Sequence, residues 1–577
     1  MSINNSSVLA SDKRAVLATS NLMPLHLLVQ SPWFDTQWYQ TRYADVARSG
    51  LSPEAHYLRV GEPRGWQPGP SFDPRWYLAQ YPDLAKADIS PLLHFISHGE
   101  QEGRLPCALE AVRLDSALWG QHGKVDECLS SLVALLTDGS LPEASYAGFA
   151  LGRWHAWQGD WQAAASCLAR RPEGKGCLPK HAGPALLSVE AFGRSGQLAE
   201  AWRSLASLQR HAPGRADTSL AVANLLGWQA EAYPEAGADR QGEWQRQRLT
   251  WINDVWQRHG LAQVELADPM VGVNLDNLVG IGQGQHHWAL AGANRAAQLL
   301  AHQPSHHASR LTSHQREARS PLLTVIVPAY NAEKGLSTAL QSLAEQRGVM
   351  LEVIVVDDAS TDHTARVAEA FAGQDARFKV LRQPSNQGAY AARNRGLAEA
   401  RGDYITVHDS DDWSHPDKLA AQLAGLEAHP EWMACCSHWV RCTPELIFSN
   451  WRMEEGWTYR NVSSLMFRRE VFDALGYWDR VRVEADTEYY YRIRTAYGDH
   501  AVGEVLPRVP LAFGRSAPDS LTAVGATHLV TQFSGVRADY RQASQAWHRA
   551  GAERPERLYL PAEPAQRPFA APEAVLP

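Results

Sequence analysis

Four short motifs between Thr324 and Asp412 set carboxylates and glycines in a fixed order: TVIVPAYNAE, LEVIVVDDASTD, NQGAYAARNRG and GDYITVHDSDD. Asp357, Asp358, Asp409, Asp411 and Asp412 are hard anionic oxygen donors. Crowded together, they repel one another unless a cation or a donor-rich ligand compensates them. Something must bring them together, and the flanking residues say what. Apolar or β-branched runs precede the first, second and fourth motifs, and helical patterns follow the first three. That alternation predicts a parallel sheet covered by helices on both faces. Its strands are expected at Leu323–Val327, Leu351–Val356, Phe378–Leu381 and Tyr404–His408, with the first ended by Pro328. Ligands of such sheets bind at the carboxyl ends of the strands, where these aspartates fall.

VIVPAYNAE, VVDDASTD and the Asp409-Ser410-Asp411 triplet resemble the nucleotide-sugar domain of family 2 glycosyltransferases, inverting enzymes of the GT-A fold. The resemblance runs from about Pro321 to about Leu521. It implies a donor site in which the loop of Pro328, Tyr330 and Glu333 cups the base, Asp358 accepts the imide N–H of uracil, and Arg393 reaches the diphosphate or sugar. Asp411 is the first metal candidate and Asp409 the second, with Asp409 also facing the donor. Mn²⁺ or Mg²⁺ suits such ligands and neutralises a departing diphosphate. Arg515 and the Ser520–Thr522 segment are expected as a flap over that diphosphate, and Asn461–Met466 as a strand on the acceptor side.

An inverting transfer also needs a base on the acceptor hydroxyl. By the same resemblance it follows a turn, here Leu475-Gly476-Tyr477-Trp478-Asp479, and belongs to a Glu-Asp pair. This chain departs from that pattern, with Ala485 where Glu is expected. Asp486 remains and is assigned as the general base. Glu484 and Glu488 are the reserves.

The rest of the chain is organised differently. FDTQWYQTRYADVARSGLSPEAHYLRVGEPRG is echoed 38 residues later by FDPRWYLAQYPDLAKADISPLLHFISHGEQEG. Asp35 and Asp73 suit helix N-caps, Phe34 and Phe72 can staple onto Tyr39 and Tyr77, and Ser52-Pro53 and Ser90-Pro91 start second helices. Gly61 and Gly99 are expected to end those helices in a left-handed conformation. Trp38, Trp76, His56 and His94 are expected to pack rather than to bind sugar or metal. From Cys107 to His302 the pattern is helical, with turns at Gly159 and Gly196 and small residues at Ala164 and Ala201, near the tetratricopeptide period. This region is a candidate protein-binding surface or a spacer.

Expected boundaries are a tail at 1–30, the two aromatic repeats at 31–106, the helical region at 107–302, a linker at 303–320, an α/β GT-A domain (Rossmann-like, mostly parallel) at 321–530, and a C-terminal helix with a disordered Pro/Ala-rich tail at 531–577. The chain is thus multidomain, with all-α repeats preceding the catalytic domain. A net charge of −8 gives no global attraction to nucleic acid. No run of about 18 apolar residues predicts a spanning helix, and the N-terminus is no convincing signal peptide. Seven cysteines without framework spacing point to reduced thiols in the cytoplasm. The function expected is transfer of a sugar from a nucleotide-diphosphate donor, with UDP favoured, to a glycan or lipid-linked glycan, at the inner membrane if the acceptor is lipid-linked. Nucleotidyl transfer would need a Gly-rich phosphate loop, which PAYNAE is not. The other alternative is a non-catalytic nucleotide-sugar-binding scaffold, favoured only by Ala485.

Overall fold

The computed structural model describes residues 24–87, 89–120, 124–169, 181–281, 320–450, 456–516 and 527–577. The described chain forms two compact units that divide between Pro213 and Gly214. The expected linker at 303–320 lies, but for Ser320, outside the described residues.

In the first unit, each aromatic repeat closes on itself by the same contacts. Asp35 and Asp73 cap their helices by accepting the backbone N–H of Trp38 and Trp76, at 2.9 and 3.0 Å. Phe34 lies 5.4 Å from Tyr39, and Phe72 5.3 Å from Tyr77, between ring centroids. The phenols of Tyr39 and Tyr77 meet Nδ1 of His56 and His94 at 3.1 and 3.0 Å, so these histidines are packing groups. Trp33 against Phe95, at 4.9 Å, joins the repeats into one core, to which Leu28 also contributes. The expected tail therefore starts its structure earlier, with residues 24–30 helical. Gly61 differs from expectation as well: its φ is −72°, and the left-handed glycines that follow Gly61 and Gly99 are Gly65 and Gly103. Gly61 and Gly99 are glycine because any Cβ there would overlap the Tyr39 or Tyr77 hydroxyl. Trp38 and Trp76 are half-buried at the edge of the core rather than at its centre. The following helices, among them Leu141–Trp157 with Trp161–Ala169 and Ala182–Arg194 with Leu198–His211, pack as neighbours in sequence. Gly159 and Gly196 turn with φ of 79° and 78°, and Ala164 and Ala201 are fully buried.

The second unit begins before the expected boundary. Helices α1 (Ala216–Ala232) and α2 (Ala238–Gln257), with the antiparallel pair β1 (Val264–Leu266) and β2 (Leu278–Gly280), belong to it. Buried polar bonds hold them there. Asn224 exchanges two hydrogen bonds with the Phe448 backbone, and Trp256 Nε1 donates to Pro510 O at 2.8 Å. Next come β3 (Leu322–Ala329), α3 (Leu336–Ala344), β4 (Met350–Asp357), α4 (Thr364–Gln374), β5 (Phe378–Arg382), α5 (Ala389–Glu399) and β6 (Tyr404–Val407). Strands β3 to β6 are mutually parallel; β3, β4 and β6 are near-continuously apolar, as burial on both faces requires, while the edge strand β5 carries Lys379 and Arg382 and is only partly buried. Pro328 sits inside β3 rather than ending it. The β3–β6 register stops at Ile326, so the missing N–H falls past that ladder.

The chain continues through β7 (Trp413–Ser414), α6 (Lys418–Ala428), β8 (Ala434–Cys436), β9 (His438–Cys442), β10 (Phe448–Ser449), β11 (Tyr459–Arg460), β12 (Met466–Arg468), α7 (Arg469–Leu475), α8 (Ala485–Tyr497), β13 (Val502–Glu504), β14 (Pro510–Arg515) and α9 (Val536–Gly551). The large sheet has the order β13-β8-β12-β6-β3-β4-β5, with β12 antiparallel to both neighbours. A second sheet, β10-β9-β14-β7 with β11 on β9, was not expected. Of the expected acceptor strand Asn461–Met466 only Met466 is extended, as the first residue of β12; the residues before it form a turn.

The C-terminal tail is ordered, against expectation. Leu558, Phe569 and Val575 are buried in the same core as Tyr489 of α8 and Tyr540 of α9. Leu560 exchanges backbone hydrogen bonds with Leu475 and Tyr477, and Arg482 N donates to Val575 O at 2.7 Å. Proline and alanine lower its average hydrophobicity, but a few apolar side chains at spaced positions suffice to anchor it.

Candidate active site

Asp358 follows β4 and is buried, with 2% of its surface exposed. Its carboxylate accepts Gln383 Nε2 at 2.6 Å, Gln387 N at 2.9 Å and Gly388 N at 2.7 Å. The two backbone amides stand immediately before α5, which Gly388 enters at φ 90°. Asp358 therefore caps α5 from another loop, supplying the anion that a helix N-terminus favours. Three of roughly four acceptor positions are taken, which leaves about one for a ligand.

Helix α5 then distributes the site. Arg393, on α5, donates Nη2 to Asp409 Oδ1 at 2.6 Å, while Nε and Nη1 are buried without a hydrogen-bond partner. Burial works against its charge, yet Asp409, Tyr390 and Asp486 more than offset that, so its pKa is raised. Tyr390, one turn earlier, donates its hydroxyl to Asp486 Oδ1 at 3.0 Å. Asn394 exchanges two hydrogen bonds with the Trp478 backbone, tying the turn before α8 to the same helix. The end of β4, the end of β6 and the start of α8 thus converge on α5. Tyr390 was not singled out from sequence; its place in NQGAYAARNRG, one turn before Arg393, was the available signal.

The loop after β6 carries three aspartates whose charges act on one another. Burial first, then Asp409, raises the Asp411 carboxyl to about 6, although Arg515 and Arg441 oppose the rise. Asp412 is raised further, by burial and by both neighbouring aspartates. Lys418 lies fully buried beneath, its pKa lowered to about 8 by burial against the pull of Asp412 and Asp409. Among the described residues no three His, Cys, Asp or Glu side chains form a cage for a metal. A divalent ion that takes one or two carboxylates and keeps water or phosphate oxygens elsewhere asks for no such cage.

The loop after β3 is laced to the loop after β4. Asn331, at φ 48°, accepts Thr361 N at 2.9 Å, and Glu333 accepts His363 N at 3.0 Å. Glu333 thus has one carboxylate oxygen committed to structure. Tyr330 stands 47% exposed at the tip, and Pro328 is buried behind it. Gly335 lies against Asp411, where a Cβ would come within 2.7 Å of the aspartate Cβ. Arg515 N donates to Asp412 Oδ1 and its Nε to Asp411 O, both at 3.0 Å, while its guanidinium pairs with Asp276 and not with open solvent. The Ser520–Thr522 flap lies outside the described residues.

The two reserve acids are occupied. Glu484 is paired with Arg537 and Arg541, each at 2.9 Å. Glu488 is fully buried between Arg492 and His548, at 2.8 and 2.7 Å, which hold its pKa down against burial. Ala485 is completely buried. Asp486 is the half-buried acid of the group, with Oδ1 on Tyr390 and on Thr487 N at 2.7 Å.

Residues 324–476 match the family described as Glycosyl transferase family 2. An uncharacterized glycosyltransferase of Haemophilus influenzae is 45% identical over 103 residues, 18% of this chain and 41% of that protein. The putative glycosyltransferase EpsH of Bacillus subtilis is 44% identical over 104 residues, 18% of this chain and 30% of that protein. The chain thus spans less than half the length of these curated relatives. Among solved structures, S. aureus TarS 1-349 in complex with UDP is 22% identical, with 34% of this chain and 61% of that chain covered and a TM-score of 0.28. The parallel strands, the aspartates at their ends and the family match coincide over one stretch: residues 324–476 are a glycosyl transferase family 2 domain.

Proposed function

We propose that this chain is a glycosyltransferase that moves a sugar from a nucleotide-diphosphate donor to a hydroxyl acceptor with inversion. The observation that carries this reading is the convergence on α5 of Asp358, Asp409 and Asp486, three acids from three separate motifs. The donor would lie over the ends of β3, β4 and β6. Tyr330 offers a half-exposed ring to the base, and Pro328 and Glu333 shape the loop behind it. The last acceptor position of Asp358 suits an imide N–H, which favours uracil. Arg393 has unpaired N–H groups for a phosphate or sugar oxygen. Asp411 and Asp409 would hold Mn²⁺ or Mg²⁺, which supplies charge neutralisation for the departing diphosphate. Asp486 would take the acceptor proton as the acceptor oxygen attacks the anomeric carbon, and Tyr390 orients its carboxylate. Curated relatives with polysaccharide-related names, such as the putative teichuronic acid biosynthesis glycosyltransferase of Bacillus subtilis, support a cell-surface glycan as acceptor.

The test is a screen of UDP- and GDP-sugars with Mn²⁺ or Mg²⁺, scored by release of the nucleoside diphosphate. One donor is expected to be turned over, with water as a slow acceptor, and release should be lost in Asp411→Ala and Asp486→Asn. Release from no donor, or release untouched by both substitutions, would overturn the reading.

A further inference from the structure

Among the described residues, Glu484 is one of the few non-glycine positions with a positive φ, at 74° with ψ −5°. A side chain in that region is strained and persists only where its surroundings over-determine it. The surroundings here are electrostatic. The Glu484 carboxylate is 7% exposed, with Oε1 on Arg537 Nη1 and Oε2 on Arg541 Nη2, both from α9. Arg537 is itself 6% exposed and donates its Nε to Thr527 O at 2.6 Å. The same α9 reaches the preceding turn, where Tyr540 donates to Asp479 at 3.0 Å. Two residues after Glu484, Asp486 sits in the first turn of α8, so the left-handed step sets the direction in which its carboxylate leaves the backbone.

We propose that Glu484 is a positioning residue for Asp486, anchored by Arg537 and Arg541. The proposal rests on the reading of Asp486 as the acceptor base. Neither α9 nor Glu484 falls within the family-matching stretch, which stops at residue 476. Glu484 cannot share the base role, since each of its oxygens is committed to a guanidinium. Its effect is on aim: the anchored turn keeps Asp486 on Tyr390, which shares α5 with Arg393. Placement errors of about an ångström at a reacting group cost up to about a hundredfold in rate.

The test uses the full chain, the donor found by the screen above, and UDP with Mn²⁺ as the binding probe. Asp486→Asn is expected to abolish turnover. In Glu484→Gln, kcat should fall roughly tenfold or more while the donor KM and the affinity for Mn²⁺–UDP stay within about twofold. Should that variant fail to fold, Arg541→Ala removes the more exposed anchor, 30% open to solvent, and is expected to lower kcat several-fold with the same split. Arg541→Lys, which keeps the charge, should retain most of the rate. Wild-type kcat in both Glu484→Gln and Arg541→Ala would overturn the proposal, as would a parallel loss of kcat and Mn²⁺–UDP affinity. Undiminished turnover in Asp486→Asn would remove the base assignment beneath it.

Discussion

The hydrogen bond from Tyr390 to Asp486 ties two residues 96 apart in sequence. Removing it by Tyr390→Phe keeps the packing and should cost about 1 kcal/mol of transition-state stabilisation, a roughly fivefold fall in kcat measured by diphosphate release. A second residue-level consequence concerns pH. His415 is fully buried, with Nε2 donating to Ala262 O at 2.8 Å and Nδ1 accepting Asp417 N at 3.1 Å. Both nitrogens are satisfied only in the neutral ring, and burial lowers its pKa to about 4. In the unfolded chain the ring protonates near pH 6.5. Its contribution is therefore fully present above about 6.5 and is lost as pH falls toward about 4, at most ~3 kcal/mol. Melting temperature followed across that window should drop, and His415→Gln should flatten the dependence. The aspartates were readable from sequence because each ends a recognisable strand. Tyr390 and the ion pairs of Glu484 were not, because their meaning depends on partners that only the folded chain brings near.

At the level of elements, the parallel strands were legible because they are apolar, bounded by punctuating residues and long enough to show a pattern. The second sheet was not. Its strands run from two to six residues, and β7 and β10 have two each, too short for any periodicity to register. Repeat glycines carry a related lesson: Gly61 and Gly99 were recognised as required, but for the wrong reason. Crowding by the tyrosine hydroxyl, not φ, excludes a side chain. Gly61→Ala should destabilise the repeats by about 1–3 kcal/mol. Tyr39→Phe removes the obstructing oxygen, so the double variant should recover part of that loss. Denaturant melts of the four members of the cycle, read by tryptophan fluorescence, check this. Additivity of the two single changes would refute the crowding account.

For the molecule as a whole, a boundary drawn at residue 530 severs structure that composition disguised as loose tail. A chain ending there lacks Arg537, Arg541 and His548, leaving Glu484 with no cationic partner and Glu488 with only Arg492. Breaking a buried pair costs about 3–5 kcal/mol, against a total stability of about 5–15 for a typical domain. Such a chain is expected to aggregate or to melt without a cooperative transition. The docking of Leu560 beside Gly476 bears on how this protein comes into being. Synthesis proceeds from the N-terminus at about 5–20 residues per second, so the chain beyond the family domain takes roughly 4–17 s to reach Leu560. For most of that interval the nascent chain has its parallel strands, while Glu484 lacks Arg537 and Arg541 and Glu488 has Arg492 without His548. The surroundings of Asp486 are completed only after α9 and Leu560 have been made, and a ribosome stalled before α9 would carry an unfinished domain.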